Sequence, residues 1–339
     1  MKYLIFIIFV VALLQINAQN NTVKVKIENI GKQVNSAFSD FAPVISADGL
    51  TMFFTSRRPT TPKEIEKNKE VMESVYQTEY DIQKRKWTKT IRINNIINIQ
   101  DRNNSAIALS NDGQRMLLYR DDIFGNGDIY ESTLAGTEWS DAKKLPVPIN
   151  SEYHESSASY SPDGRTIYFV SSRKDGAGKR DIWYCTQNID GVWGNAKNIG
   201  APINTKEDEE GVFMHPDGKT LYFSSKVQGG AGGFDIYKSV YENEKWGTPE
   251  NISKLNTPGD DVYFVMEANG TVGYYASAKP GGTGEKDIYK VTFSYTNPKE
   301  KKQVSKLILL KGIISDELTG KIVLCGVYHR KQGQVFLWS

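Results

Sequence analysis

The feature that most constrains this chain is a repeat. Asp-Gly turns fall at Asp48-Gly49, Asp112-Gly113, Asp163-Gly164, Asp217-Gly218 and, degenerate, Asn269-Gly270. A tryptophan recurs as Trp87, Trp139, Trp193 and Trp246, in steps of 52, 54 and 53 residues. An Asp-Ile-aromatic element recurs as Asp128-Ile129-Tyr130, Asp181-Ile182-Trp183, Asp235-Ile236-Tyr237 and Asp287-Ile288-Tyr289, with Ser74-Val75-Tyr76 in the first copy. Five copies are present. A fixed period of this length marks a fold built by stacking one supersecondary unit, because a single unit cannot bury its own apolar faces.

The third copy is the clearest. In Ser161-Pro162-Asp163-Gly164, proline presets φ, aspartate bonds its own backbone and glycine accepts a positive φ. Thr166–Ser172 is rich in β-branched and aromatic residues, which suit a pleated surface. Strand signals at Ser156–Tyr160, Ile182–Gln187 and around Trp193–Ile199 complete four antiparallel strands, the content of one β-propeller blade. Aligned on the turn, the second strands carry one column of Phe54, Leu118, Phe169, Phe223 and Tyr275 and a neighbouring column of Phe53, Leu117, Tyr168, Tyr222 and Tyr274. Apolar columns on both faces fit a sheet sandwiched between two others. Each fully buried ring contributes on the order of 2–3 kcal/mol.

The ends of the repeat predict how the ring closes. Fourth strands end in Ile97-Asn98, Ile149-Asn150, Ile203-Asn204 and Leu255-Asn256, but the fifth copy lacks both this element and its tryptophan. Val23–Ile30, followed by Val34-Asn35, supplies the missing column. The expected fold is therefore an all-β, five-bladed propeller over residues 19–296, its last blade completed by the N-terminal strand. Such pairing removes two exposed sheet edges.

Outside the ring, Met1–Ala18 reads as a secretory signal peptide: Lys2, an apolar run Leu4–Leu14 too short to span a bilayer, and a small residue at the end. The mature chain is expected to be exported and to carry no transmembrane segment. The first copy takes 26 residues from Asp48 to Ser74 where the third, fourth and fifth copies take 18, and the excess, Thr60–Glu73, is charged and helix-compatible. Lys+Arg number 42 against 40 Asp+Glu, a net charge of +2, so no global field favours nucleic acid or anionic lipid. Cys185 and Cys325 lie in different contexts and do not suggest a disulfide framework.

No catalytic constellation is visible. The histidines are His154, His215 and His329, and His215 stands in for a turn serine. There is no Gly-x-Ser-x-Gly elbow and no zinc spacing. The Gly-rich segments Gly176-Ala177-Gly178 and Gly229–Gly233 lie between antiparallel strands, not before a helix, and read as hairpin turns rather than phosphate loops. No cofactor is expected, and the chain is expected not to be an enzyme.

Two residue sets are candidate sites. Asp40, Asn104, Glu155, Glu209 and Asp261 stand at the start of the innermost strands and should ring one mouth of the channel. Carboxylates so placed raise one another's pKa unless neutralised. They are read either as taking a cation or a basic side chain of a partner, or as capping backbone amides of the next blade. Arg58, Arg173 and Lys279, at the ends of the second strands, form a candidate basic surface for peptidoglycan stems or an acidic partner, with Asp122 breaking the set.

The string Ser-Pro-Asp-Gly-Arg-Thr-Ile-Tyr-Phe…Gly-x-Gly…Asp-Ile-Trp at 161–183, and its counterpart at His215–Tyr237, resembles the WD40-like propeller repeat of TolB and its relatives. A nearer likeness is the Gly-rich version in OmpA-family envelope proteins of Bacteroidetes, including a component of the type IX secretion apparatus. Leu309–Lys321 looks like the opening strand and turn of the carboxypeptidase-regulatory-like β-sandwich of those proteins. Residues 297–305 would then be a linker and 306–339 a truncated piece of that sandwich, with the peptidoglycan-binding OmpA-like domain missing. The resemblance implies a non-catalytic, periplasmic or outer-membrane-associated scaffold whose partners are envelope proteins. The competing expectation is a carbohydrate-active or glycan-binding propeller that uses the channel mouth.

Overall fold

The computed structural model describes residues 23–60, 71–227 and 229–295, with four short strands at 313–315, 322–325, 329–331 and 334–336. The predicted signal peptide, the middle of the Thr60–Glu73 insertion and the predicted linker lie outside the described residues. The described residues contain no α-helix.

Five antiparallel sheets form a ring. Their innermost strands are Asp40–Ile45, Asn104–Leu109, Glu155–Tyr160, Glu209–Met214 and Asp261–Met266. Each neighbours the next, and the fifth returns to the first. Within each blade the chain then passes outward through a second and a third strand, in the third blade Thr166–Ser171 and Asp181–Thr186. The fourth position is occupied by short pieces, such as Lys197–Asn198 and the Gln187–Trp193 bridge. The face where inner strands begin is called the upper face below; the Asp-Gly turns lie on the lower one.

Ring closure is as the repeat arithmetic requires. Val23–Asn29 pairs antiparallel with Asp287–Tyr295, from Val23 opposite Tyr295 to Asn29 opposite Tyr289. The last blade is thus assembled from both ends of the repeat region, in the order Val23–Asn29, Asp287–Tyr295, Val272–Ser277, Asp261–Met266.

The core lies between blades, and the two apolar columns explain why. Leu118 of the second blade packs in one cluster with Phe53 of the first, and Phe169 of the third packs with Leu117 of the second. Phe223 joins Tyr168, Tyr275 joins Tyr222, and Phe54 joins Tyr274 across the closure. One column therefore faces the preceding blade and the other the following blade. The Trp column adds to the same seams: Trp87 lies edge-on to Tyr274 at 5.9 Å and Trp139 to Phe53 at 5.9 Å. A blade removed from the ring would expose both columns to water, so blades are stable only together.

On the lower face each turn closes alike. Gly49, Gly113, Gly164, Gly218 and Gly270 all hold positive φ, and in the third blade Gly164 N donates to Ser161 O at 2.8 Å. His215 fills its turn role, its Nδ1 accepting from Asp217 N at 3.1 Å. Cys185 is buried and free. Beyond the ring, Ile313–Ser315 pairs with Ile322–Cys325, and His329–Lys331 with Gln334–Phe336.

Candidate functional site

The acidic column does not line an open mouth. Asp40, Glu155, Glu209 and Asp261 are fully buried, and Asn104 is nearly so. Each closes the loop that leads into its own strand. Asp40 accepts from Ser36 N and Oγ, Glu155 from Ser151 N and Oγ, Glu209 from Thr205 N and Oγ1, and Asp261 from Thr257 N and Oγ1. Asn104 does the same through both amide atoms, to Ile99 N and Ile99 O. Each thus caps amides of its own entry loop, where the sequence reading placed the capped amides in the next blade.

The basic set is the other half of the same device. Arg58 meets Asp40 at 2.5 Å and donates to Val34 O at 2.6 Å. Arg173 meets Glu155 at 3.2 Å and donates to Ile149 O at 2.6 Å. Both guanidiniums lie over rings of their own blade, Arg58 over Tyr76 at 4.6 Å and Arg173 over Phe169 at 4.9 Å. In the second blade Arg120, two residues earlier than the Asp122 of the sequence alignment, takes this place. It donates to Asn104 Oδ1 at 3.1 Å and Ile97 O at 2.9 Å. Arg58 and Arg173 are therefore internal cations rather than a basic surface. Lys279 stands apart from Asp261, its Nζ 5.8 Å from the Tyr289 ring centre.

The fourth and fifth blades lack the cation. Val227 occupies the arginine position, and burial pushes the Glu209 carboxyl up to about 7 despite its hydrogen bonds from Thr205 and Ser225. Burial raises Asp261 likewise. Neither carboxyl has an Arg or Lys among the groups that hold it.

The Gly-x-Gly loops of the upper face also turn inward. Asp181 accepts from Ala177 N and from Gly178 N, the latter at 2.9 Å. Asp287 accepts from Thr283 N at 2.5 Å and Gly284 N at 3.0 Å. The amides that could have held an anion are thus taken by the repeat's own aspartates. The first glycine leaves room for that carboxylate, and the second lets the loop sit against backbone oxygens of the next blade, Glu207 O for Gly178 and Phe38 O for Gly284.

Ala42, Val44, Ile107, Ser157, Val212, Phe213 and Tyr263 are among the residues that line a cavity of about 20 Å³ between the inner strands, room for roughly one water.

What remains is a polar cluster at the upper mouth that departs from the repeat. Glu73 and Glu210 are 9% and 3% exposed. Glu73 accepts from Ser105 Oγ at 2.8 Å and pairs with Arg57 at 2.9 Å. Glu210 accepts from Ser156 Oγ at 2.9 Å and pairs with Arg180 at 2.7 Å. Arg180 also reaches Asp208 at 3.7 Å, and Lys226 reaches it at 3.6 Å. Phe234 lies beneath both cations, 5.7 Å from Arg180 and 4.5 Å from Lys226. Tyr263 packs on Phe41 at 6.0 Å, and Tyr119 on His154 at 5.6 Å.

Electrostatics tie the cluster together. Burial, then the charges of Glu210 and Glu73, hold the Tyr263 phenol well above its ordinary pKa. Burial, then Asp121, Glu73 and Glu210, do the same for Tyr119. Both phenols keep their protons and can donate. Burial works against the charge of Arg180, but Glu210 and Asp208 outweigh it and its pKa ends raised.

Sequence reasoning passed over these residues because it followed columns that repeat. Glu210 stands where other blades have Phe41, Ser105, Ser156 and Val262, and Tyr263 where they have Ala42, Ala106, Ser157 and Gly211. Those two breaks in otherwise small or apolar columns were the available signal. Among the described residues no group of three His, Cys, Asp or Glu side chains is placed to hold a metal ion.

No protein-family model matches this chain, and no curated protein matches it. Solved structures similar to it include TolB from Acinetobacter baumannii, 16% identical with a TM-score of 0.46, covering 77% of this chain and 56% of that one. A protein from Agrobacterium tumefaciens assigned as TolB is 15% identical with a TM-score of 0.45, covering 81% of this chain and 98% of that one. A luciferin-regenerating enzyme is 12% identical with a TM-score of 0.47, covering 79% of this chain and 95% of that one. This chain therefore spans a little over half of the A. baumannii protein and nearly all of the other two. These likenesses go no further than architecture, which the sheet order above establishes by itself.

Proposed function

We propose that this chain is a non-catalytic binding propeller, exported to the periplasm or held at the outer membrane, that mediates protein–protein contacts in an OmpA-family or secretion-linked envelope assembly. The observation that carries the reading is that the ring spends its repeated polar groups on itself. Capping acids, Arg58 and Arg173, and loop amides are paired internally. A rigid ring that displays one irregular polar patch on one face suits recognition of a partner. The test is a pull-down from envelope extract with the purified chain, set beside a panel of polysaccharides assayed for turnover. A co-purifying envelope protein without turnover is expected; turnover without any co-purifying protein overturns the reading.

One observation favours the carbohydrate-active alternative. Glu73 and Glu210 are carboxylates from non-equivalent positions at one mouth, the arrangement that acid–base chemistry needs. Against it, each is already held by an arginine and a serine.

A further inference from the structure

In three ion pairs at the upper mouth the acid lies beneath and the cation outside, while Lys286 and Asp260 in the fifth blade are ordered the other way, 27% against 38% exposed. The Arg57 side chain is 40% exposed against 11% for Glu73, Arg180 30% against 5% for Glu210, and Lys226 41% against 15% for Asp208. An approaching molecule meets guanidinium and ammonium groups first, each already oriented by the carboxylate under it. A basic segment would have to displace those cations to reach the acids. An anionic segment needs no rearrangement, and fixed donors bind at a smaller entropic cost than mobile ones.

The floor of the mouth is also built at a cost. Every inner strand carries a bulge at this level. Gly211 meets it with φ 60° and Ala42 with φ 47°, whereas Tyr263 holds φ 57°. A bulky residue in the left-handed region costs of order 1–3 kcal/mol and persists where the surroundings enforce it, commonly at functional positions. Here the strain brings a protonated phenol into the field of Glu73, Glu210 and Arg180, beside the cavity between the inner strands.

The geometry points to the upper mouth as a receptor for an acidic segment of a partner protein, whose aspartate or glutamate carboxylates reach Arg57, Arg180 and Lys226 above the Tyr263 ring. This rests on the reading of the chain as a non-catalytic binder and supplies its partner chemistry.

The experiment uses the purified full chain and fluorescence anisotropy with labelled pentaglutamate, labelled pentalysine and a peptidoglycan stem-peptide fragment as competitor, at low and high salt. Pentaglutamate should bind in a salt-sensitive way and pentalysine should not. Arg180→Gln and Lys226→Gln should each weaken binding, Arg180→Gln by about tenfold. Lys226 shares Asp208 with Arg180, so in its variant that carboxylate keeps a cation, and melting of the variant is measured beside its binding. Tyr263→Gly should weaken binding, relief of its left-handed φ offsetting part of the packing lost on Phe41. Lys245→Gln, on the outer edge of that blade, should change nothing.

Equal binding of pentalysine, or Arg180→Gln and Lys226→Gln both within about twofold of the parent, overturns the assignment. Displacement of pentaglutamate by the stem fragment at lower concentration assigns the mouth to peptidoglycan and overturns it too. An envelope partner captured equally by Arg180→Gln and parent would sink the mouth assignment and leave the scaffold reading standing, whereas polysaccharide turnover would sink the scaffold reading itself.

Discussion

The side-chain amide of Asn35 takes both backbone polar groups of Ile288: Ile288 N donates to Asn35 Oδ1 at 2.9 Å, and Asn35 Nδ2 donates to Ile288 O at 2.9 Å. The same clasp joins Asn98 to Val75, Asn150 to Ile129, Asn204 to Ile182 and Asn256 to Ile236. Asparagine alone among short side chains offers a donor and an acceptor side by side. It therefore stands in for a fourth-strand residue where the chain turns to the next blade. In the fifth blade the clasp spans the whole ring and helps to hold its two ends together.

Asn35→Ala strands the buried N–H of Ile288 and leaves its C=O only the 3.3 Å bond from Ile30 N, and should cost about 1–3 kcal/mol, measured by urea unfolding. Asn204→Ala should cost a similar amount without loosening the N-terminal strand. Limited proteolysis should therefore cut Asn35→Ala near residue 30 sooner than Asn204→Ala. Equal cleavage of the two would mean that the closure does not depend on the clasp.

Glu209 makes stability depend on pH. Its carboxyl titrates near 4.5 when unfolded and is raised to about 7 by burial when folded. Between those values the native state binds the extra proton, so stability falls as pH rises through this window and levels off above it. Glu209→Gln should be close to neutral at pH 5 and stabilising by up to about 3 kcal/mol at pH 8. Melting temperatures at the two pH values check this, and a variant equally stabilised at both would contradict it. Asp261 is raised in the same direction and reinforces the trend in the parent.

The arginine missing from the fourth blade can be put back. Val227 N already donates to Ser225 Oγ at 3.1 Å, as Arg58 N does to Ser56 Oγ at 3.2 Å. Val227→Arg should therefore place a guanidinium on Glu209, lower its pKa and stabilise the ring at pH 8 more than at pH 5. Conversely, Arg58→Met leaves Asp40 buried without its cation and should cost about 3 kcal/mol at neutral pH. Denaturant midpoints for both variants give the comparison.

Gly232 and Gly284 lie where a Cβ would run into backbone of the following blade, at Pro258 and Phe38. Neither obstacle can rotate away. Gly232→Ala and Gly284→Ala should each destabilise by more than about 2 kcal/mol. Gly247→Ala, whose Cβ would approach Val240 O at 3.3 Å, should cost less. Equal losses in thermal melts would mean that the second glycine of the loop is not a packing requirement.

The scaffold was legible in the sequence because its determinants repeat. Phe169 and its column, the Asp-Gly turns, the Asn column and the identity of the closing strand follow from period alone. The acid–arginine pairing was not, although both members had been singled out. Asp40 and Arg58 are 18 residues apart, and only the inner-strand register, with Asp40 opposite Ser56, brings the end of the second strand back over the start of the first. Arg120 escaped for the related reason that the second blade moves its arginine two residues toward the strand and changes the acid to Asn104. The mouth was least visible. Glu73 follows the first blade's insertion and Glu210 interrupts a column, and their convergence with Tyr119 and Tyr263 depends on curvature of the whole ring.

The closure is the claim on which the rest stands, since without it the inter-blade cores and the mouth do not assemble. Lys24 and Ser294 are exposed and directly opposed across the seam. Lys24→Cys with Ser294→Cys should form an intramolecular disulfide on mild oxidation, seen by mass spectrometry of the monomer, while the mismatched pair Lys24→Cys with Lys290→Cys should not. If both thiols of the matched pair stay free and react with alkylating agent in the folded protein, the N-terminal strand does not close the ring.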